Sequence, residues 1–300
     1  MSDINAGIAS LSEGKSSPVV EKREEALSKR KRSFRAKKSL GQNFLVSEGV
    51  GNKIFQAVAP VRGELIFEIG AGKGALTAKL ASTGAKVVAF EIDPELVSEL
   101  GDLFNSNDNI EIVQADIEDV SFDEEAKRRG FAEYKLVGNI PYYLTSTILL
   151  SLAGLAGCKK AVLMMQREVA ERITAGAGTR ACGTLTILLN SYFKIDKLMK
   201  VKPGSFRPVP KVESIVLVFE PHVVDGAPPE RMKFFEFLKK FFSMRRKRIE
   251  SILRKVFGMK VKEVLERNRS IVDLMGLRPE NLSLSQWYML YNIMGVEEDK

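Results

Sequence analysis

From residue 64 onward the chain alternates short apolar runs with stretches whose apolar residues recur every three or four positions. The runs are ELIFEIG (64–70), AKVVAFEID (85–93), NIEIVQAD (109–116), YKLVGNI (134–140) and KKAVLMMQ (159–166). Their length, their β-branched content and the Gly, Asp or Pro residues that bound them predict buried parallel strands. Between them, GALTAKLAST (74–83), PELVSELGDLF (94–104) and STILLSLAGL (146–155) predict helices. Such alternation predicts a doubly wound α/β sheet, whose ligands bind beyond the carboxyl ends of the strands.

The pattern then shifts twice more. Two strand-like runs, KIDKLMKV (194–201) and SIVLVFEP (214–221), flank the proline-rich loop KPGSFRPVPK (202–211). After PHVVDGAPPE (221–230) the spacing is helical in RMKFFEFLKKFFSMRRKRIESILRKVF (231–257), VKEVLERN (261–268) and LSQWYMLYNIM (284–294). Residues 1–38 carry ten basic and five acidic side chains with little apolar periodicity, which predicts a disordered basic arm. The expected organisation is an arm over 1–38, an α/β domain over 39–222 and a small all-helical domain over 223–300.

Composition narrows the chemistry. A net charge of +8 over 300 residues fits a polyanionic partner. Cys158 and Cys182 are the only cysteines and lack CxxC spacing, so neither a disulfide framework nor a metal site is expected. The single histidine, His222, removes most imidazole-based hydrolytic and metal chemistry. No run approaches the roughly 18 apolar residues of a membrane helix, and the N-terminus lacks a secretory-signal layout. A soluble intracellular protein without membrane contact is the expectation.

Candidate chemistry gathers at the strand ends. FEIGAGKGALT places Gly70, Gly72 and Gly74 after the first of these strands, where glycines let the backbone turn sharply and approach a ligand. Gly70, Gly72 and Ala75 also satisfy the loose dinucleotide fingerprint, so the turn alone does not choose between ligands. Glu91 ends the second of these strands, placed to accept hydrogen bonds from ribose hydroxyls. Asp116 ends the third, placed to accept from an adenine amino group, with Ile92 and Ile117 as apolar walls.

NIPYY (139–143) ends the fourth, and reads either as a plain turn or as a pocket for a flat, nitrogen-bearing ring. In the second reading, Asn139 Oδ1 and a backbone carbonyl within Ile140–Pro141 accept both hydrogens of an adenine N6 amine. Pro141 fixes that carbonyl through its locked φ. The amine lone pair is then aimed at the electrophilic methyl group of a sulfonium donor, and positioning is the main catalytic task. Tyr142 offers one stacking face and Phe206 the other, unless Phe206 merely anchors its loop. Tyr143 is expected to pack or to touch a neighbouring nucleotide.

Taken together, GQNFL (41–45), EIGAGKGALT (68–77), EID, AD, GNIPYY, QREVAERI, FRPVPKVES and RRKRI resemble, in order and separation, the KsgA family of small-subunit ribosomal RNA adenine dimethyltransferases. The resemblance spans about residues 39–295. It implies a Rossmann-like class I methyltransferase sheet, mostly parallel with its last strand antiparallel, and a helical C-terminal domain. It implies S-adenosylmethionine contacts at Gln42, Asn43, Leu45, Gly70, Glu91, Asp116 and Asn139. Four methyl transfers would give N6,N6-dimethyl groups on two adjacent adenosines near the 3′ end of small-subunit rRNA in an immature 30S-type particle.

Arg245, Arg246, Lys247 and Arg248 are expected to grip RNA phosphates, and the protein is expected to be a cytoplasmic monomer. Erythromycin-resistance methyltransferases of large-subunit rRNA share QNF, NIPY and the F-x-P-x-PKV loop, and are the alternative. A ribosome-assembly factor in which methylation is secondary is another, and a nicotinamide oxidoreductase is disfavoured by NIPYY and the lack of a histidine acid–base. Cys182 stands where the family often carries tyrosine.

Overall fold

The computed structural model describes residues 42–258 and 260–294. The expected arm lies outside the described residues. Nine strands occur among them: β1 (Phe44–Leu45), β2 (Leu65–Ile69), β3 (Lys86–Glu91), β4 (Ile110–Gln114), β5 (Tyr134–Asn139), β6 (Cys158–Gln166), β7 (Phe193–Val201), β8 (Phe206–Arg207) and β9 (Ser214–Pro221).

Seven strands form one sheet in the order β4-β3-β2-β5-β6-β9-β7. The pairs among β2 to β6 are parallel, and β9 runs antiparallel to both β6 and β7. This is the expected sheet with its last strand in chain order reversed. β2 is buried at all five positions, as its near-continuous apolar run requires of a central strand. Register then brings the functional residues to one edge. Ile69 pairs with both Phe90 and Gly138, and Glu91 with Gln114, so residues 70, 91, 116 and 139 all sit at or just beyond the carboxyl ends.

The two faces of the sheet are packed differently. On one, Phe67, Phe90, Phe122 and Tyr134 form a ring cluster with centroids 5.0 to 5.9 Å apart. On the other, Ile66, Val87, Val137 and Val162 pack beneath Ile54, Val58 and Leu80, which come from helices Glu48–Val58 and Ala75–Ala81. Burying each such side chain stabilises the fold by about 1.5–3 kcal/mol.

The expected boundary at 222/223 does not separate two cores. Phe234, Phe237 and Phe241 belong to the same buried cluster as Leu152 and Ile187, and Arg231 donates to the Ala153 carbonyl at 3.0 Å. The described residues form one compact unit. Helical spacing over 231–257 also resolves into two helices, Arg231–Phe242 and Ile249–Phe257. The basic run occupies the turn between them. Among the described residues no helix is long and apolar enough to cross a membrane.

Candidate active site

The turn after β2 is held by its neighbour. Gly70 and Gly72 have φ of +71° and +56°, a region costly for residues with a Cβ. The Gly70 and Ala71 N–H groups both donate to the Phe90 carbonyl, at 2.9 and 3.1 Å, pinning the turn to β3. Gly74 has a different task. It does not face the cavity; a Cβ there would lie 2.8 Å from Leu100 Cδ2 and Phe104 Cε2. The expected ligand contact at Gly74 is corrected to close packing of helix Ala75–Ala81 against helix Pro94–Phe104.

Glu91 is buried and fixed by three backbone donors. Gly72 N–H reaches Oε2 at 2.9 Å, and the Ile92 and Asp93 N–H groups reach Oε1 at 3.0 and 3.1 Å. These charge-assisted bonds leave about one of the carboxylate's four acceptor positions open to a ribose hydroxyl. Asp93 caps helix Pro94–Phe104 by accepting from Glu95 N–H, and accepts from Gln42 Nε2 at 2.9 Å. The segment at 42–47 is thereby tied to the end of β3. Asp116 Oδ1 accepts from Glu118 N–H at 3.1 Å, which leaves its second oxygen for a ligand.

A cavity of about 630 Å³ opens along this edge, lined by Gln42, Asn43, Leu45, Ile92 and Ile117 together with the strand-end groups. That volume falls within the range of small-molecule sites. Glu68, the fourth of the five residues of β2, also lines the cavity and is 3% exposed. Burial pushes its carboxyl up to about 8 despite a 2.6 Å hydrogen bond from Thr77 Oγ1, with the nearby Glu91 charge adding to the rise. Sequence reasoning missed Glu68. Its signal was a single acid inside the apolar run LIFEI.

At the end of β5, Asn139 Nδ2 donates to the Asn43 carbonyl at 2.9 Å. A carbonyl can only accept, so the Nδ2 side is fixed and Oδ1 is the atom left for a ligand. The Pro141 carbonyl is consumed, accepting from Leu144 N–H at 3.0 Å. The Ile140 carbonyl has no partner among the described residues. Of the two carbonyls the sequence left open, Ile140 therefore supplies the free acceptor. Pro141, with φ −55° and ψ 136°, holds the peptide that presents it.

Tyr142 lines the cavity, and its hydroxyl lies 3.4 Å from Ser214 Oγ. Tyr143 is 58% exposed at the rim. Partial burial and then the Asp116 charge hold its phenol above the ordinary range. Phe206 departs from its expected stacking role. It is 1% exposed, pairs across β8 with Leu45 of β1, and packs with Val201 and Val216. The loop-anchor reading holds for it.

The basic turn divides into two functions. Arg245 Nη2 donates to the Arg180 carbonyl at 2.6 Å, and Arg245 Nε lies 3.5 Å from Glu280 Oε2. Glu280's own carbonyl accepts from Gly178 N–H at 2.6 Å. Arg245 is thus a strap joining the 174–183 loop to the helical region, not a free phosphate ligand. Arg246, Lys247 and Arg248 are exposed and have no acidic partner among the described residues. Arg278 is exposed beside them, since the Ile249 N–H donates to the carbonyl of its neighbour Leu277 at 2.8 Å.

A glycine turn pinned to its neighbouring strand, acids closing the next two strands, and an amide with an open carbonyl closing the fourth define a class I methyltransferase site. S-adenosylmethionine is its methyl donor. The residues fit that group: the turn offers backbone without side chains, and Glu91 and Asp116 keep acceptor atoms for ribose and adenine.

Comparison with known proteins identifies the family. The model for "Ribosomal RNA adenine dimethylase" matches residues 33–295, and the chain belongs to that family. A ribosomal RNA small subunit methyltransferase A from Geobacter sulfurreducens is 37% identical over 263 residues, covering 86% of this chain and 94% of that protein. The structure of a dimethyladenosine transferase from Plasmodium falciparum aligns with TM-score 0.70 at 25% identity, over 84% of this chain and 98% of that one. The 23S rRNA methyltransferase ErmE aligns with TM-score 0.62 at 24% identity, over 84% and 100%, which shows a shared fold. The protein is an S-adenosylmethionine-dependent rRNA adenine dimethyltransferase.

Proposed function

We propose that this chain dimethylates N6 of two adjacent adenosines near the 3′ end of small-subunit rRNA, acting on an immature 30S-type particle. Similarity to the small-subunit enzyme of Geobacter sulfurreducens supports the choice of subunit. The observation that carries the chemistry is the pair of acceptors at the end of β5: Asn139 Oδ1, oriented by the Asn43 carbonyl, and the unpartnered Ile140 carbonyl.

An adenine N6 amine is a poor nucleophile because its lone pair is delocalised into the ring. In the first transfer two acceptors, one on each N–H, favour a pyramidal nitrogen whose lone pair points away from both, and in the second one acceptor holds the single remaining N–H. Bound donor supplies an electrophilic methyl carbon. Asn139 and Ile140 hold the amine on the line of displacement, a contribution that in well-oriented reactions reaches about 7–11 kcal/mol. Tyr142 supports the ring by stacking. The N6 ammonium formed by transfer is acidic and loses its proton to water, so no side-chain base is required.

Arg246, Lys247 and Arg248 supply phosphate contacts that locate the particle, and the enzyme works as a cytoplasmic monomer. Occupancy of the immature subunit also gives it a role in assembly. Incubating purified protein with labelled donor and, in parallel, unmodified small and large subunits tests the reading. Label should appear as N6,N6-dimethyladenosine in the small-subunit rRNA; label confined to large-subunit rRNA would assign the erythromycin-resistance activity instead.

A further inference from the structure

We propose that the outer strand of the sheet is a second track for the RNA backbone, in which Lys197, Lys200 and Lys202, with Lys211 on the loop that follows, grip phosphates flanking the acceptor nucleotide. The inference rests on the rRNA substrate read above.

β7 is the last strand in the sheet order and has a partner on one side only. Its sequence, FKIDKLMKV, continues into Lys202. Alternation along a strand would put Lys197 and Lys200, three residues apart, on opposite faces. A register shift between Lys197 and Met199 changes that. Lys197 pairs with Leu217 and Lys200 with Ile215; those partners share the face that packs into the larger core. Bulges re-aim side chains in this way, and here one brings both ammonium groups to the same side.

The track leads to the cavity. Lys200 pairs with Ile215, next to Ser214, whose Oγ lies 3.4 Å from the Tyr142 hydroxyl. Strands are about 4.8 Å apart, so β7 lies roughly 10 Å from β6, whose Met164 lines the cavity. Beyond Lys202 the chain reaches Phe206, which pairs with the cavity-lining Leu45. Lys211 is exposed on the loop that returns to β9.

Charge makes the partner anionic. Lys197, Lys200, Lys202 and Lys211 are all exposed, and among the described residues none has an acidic partner. Nearby acids are engaged elsewhere: Asp196 with Lys194 at 3.1 Å, Glu213 with Arg167 at 2.7 Å and Glu220 with Lys160 at 2.9 Å. Lysines on an edge strand also discourage sheet-to-sheet association. That role needs charge on the edge, but neither the bulge that aligns Lys197 with Lys200 nor the continuation of basic residues toward the cavity.

The test is a salt titration of binding between the full chain and a 3′-terminal fragment of small-subunit rRNA. Each phosphate contact contributes about 0.7 to the slope of log K against log salt on single strands. The variant Lys197→Gln/Lys200→Gln/Lys202→Gln should lower that slope by about 2, by the same rule, with melting temperature and donor affinity unchanged. Lys194→Gln, which removes an ion-paired lysine of the same strand, should leave it unaltered. An unchanged slope in the triple variant overturns the proposal, and an unchanged slope with new self-association assigns these lysines to edge protection. Failure of the wild-type chain to bind either the fragment or unmodified small subunits would instead sink the substrate reading, and the track with it.

Discussion

Asn139 and Asn43, 96 positions apart, meet through one hydrogen bond, Asn139 Nδ2 to the Asn43 carbonyl at 2.9 Å. The segment that carries Asn43 is in turn tied by Gln42 to Asp93 at 2.9 Å. One stretch of chain therefore borders the donor cavity and sets the rotamer of the acceptor residue. Gln42→Ala loosens that stretch. A hydrogen bond to a charged group is worth about 1.5–3 kcal/mol, so the melting temperature should fall by a few degrees, and donor affinity measured by calorimetry should fall as the cavity wall loses its pre-organisation.

Gly70 and Gly74 of the first turn separate by their surroundings. Ala at Gly70 meets nothing closer than the Asn139 carbonyl oxygen at 3.7 Å, whereas Ala at Gly74 collides with Leu100 and Phe104 at 2.8 Å. Both pay for positive φ, about 1–2 kcal/mol. Gly74→Ala adds overpacking of about 1–3 kcal/mol. Chemical denaturation should therefore rank Gly74→Ala as the more destabilised variant, while donor binding should suffer more in Gly70→Ala.

Glu68 makes stability depend on pH. Its folded-state value, about 8, lies above its ordinary 4.5, so the folded protein holds a proton that the unfolded chain releases. The stability it contributes is complete below pH 4.5 and is lost as pH rises through 8. At about 1.4 kcal/mol per unit, the loss is on the order of 5 kcal/mol. Glu68→Gln keeps an acceptor for Thr77 and removes the titration. Its stability relative to wild type should rise across that window, by urea denaturation at several pH values, and level off above it.

The basic turn should divide under mutation as it does in the structure. Arg245→Gln breaks contacts to the Arg180 carbonyl and Glu280 and should lower the melting temperature. Arg246→Gln and Lys247→Gln should leave melting unchanged and together reduce the salt slope of rRNA binding by about 1.4 on single strands.

The same contrast shows what a sequence can hold. Gly70, Glu91, Asp116 and Asn139 were legible because each closes an apolar run, and parallel strands in register bring such ends to one edge. Phe206 was misjudged because its burial depends on pairing with Leu45, 161 positions away, which no local pattern records. Arg245 looked like its three neighbours for the same reason: its partners at Arg180 and Glu280 are supplied by tertiary structure. Glu68 hid inside a strand whose burial was correctly read. Ile140 and Pro141 could not be told apart until Leu144 N–H was seen to take the proline carbonyl.

The account turns on Asn139 as an oriented acceptor, and single-turnover methylation of unmodified small subunits tests it most directly. Asn139→Asp cannot donate to the Asn43 carbonyl and sets an oxygen against it, so the rotamer that aims Oδ1 at the amine is lost. With donor saturating, the rate of transfer should fall by about 100-fold or more, the scale of a 1 Å misplacement. A rate within a few-fold of wild type, with label still entering adenosine N6, would contradict the assignment.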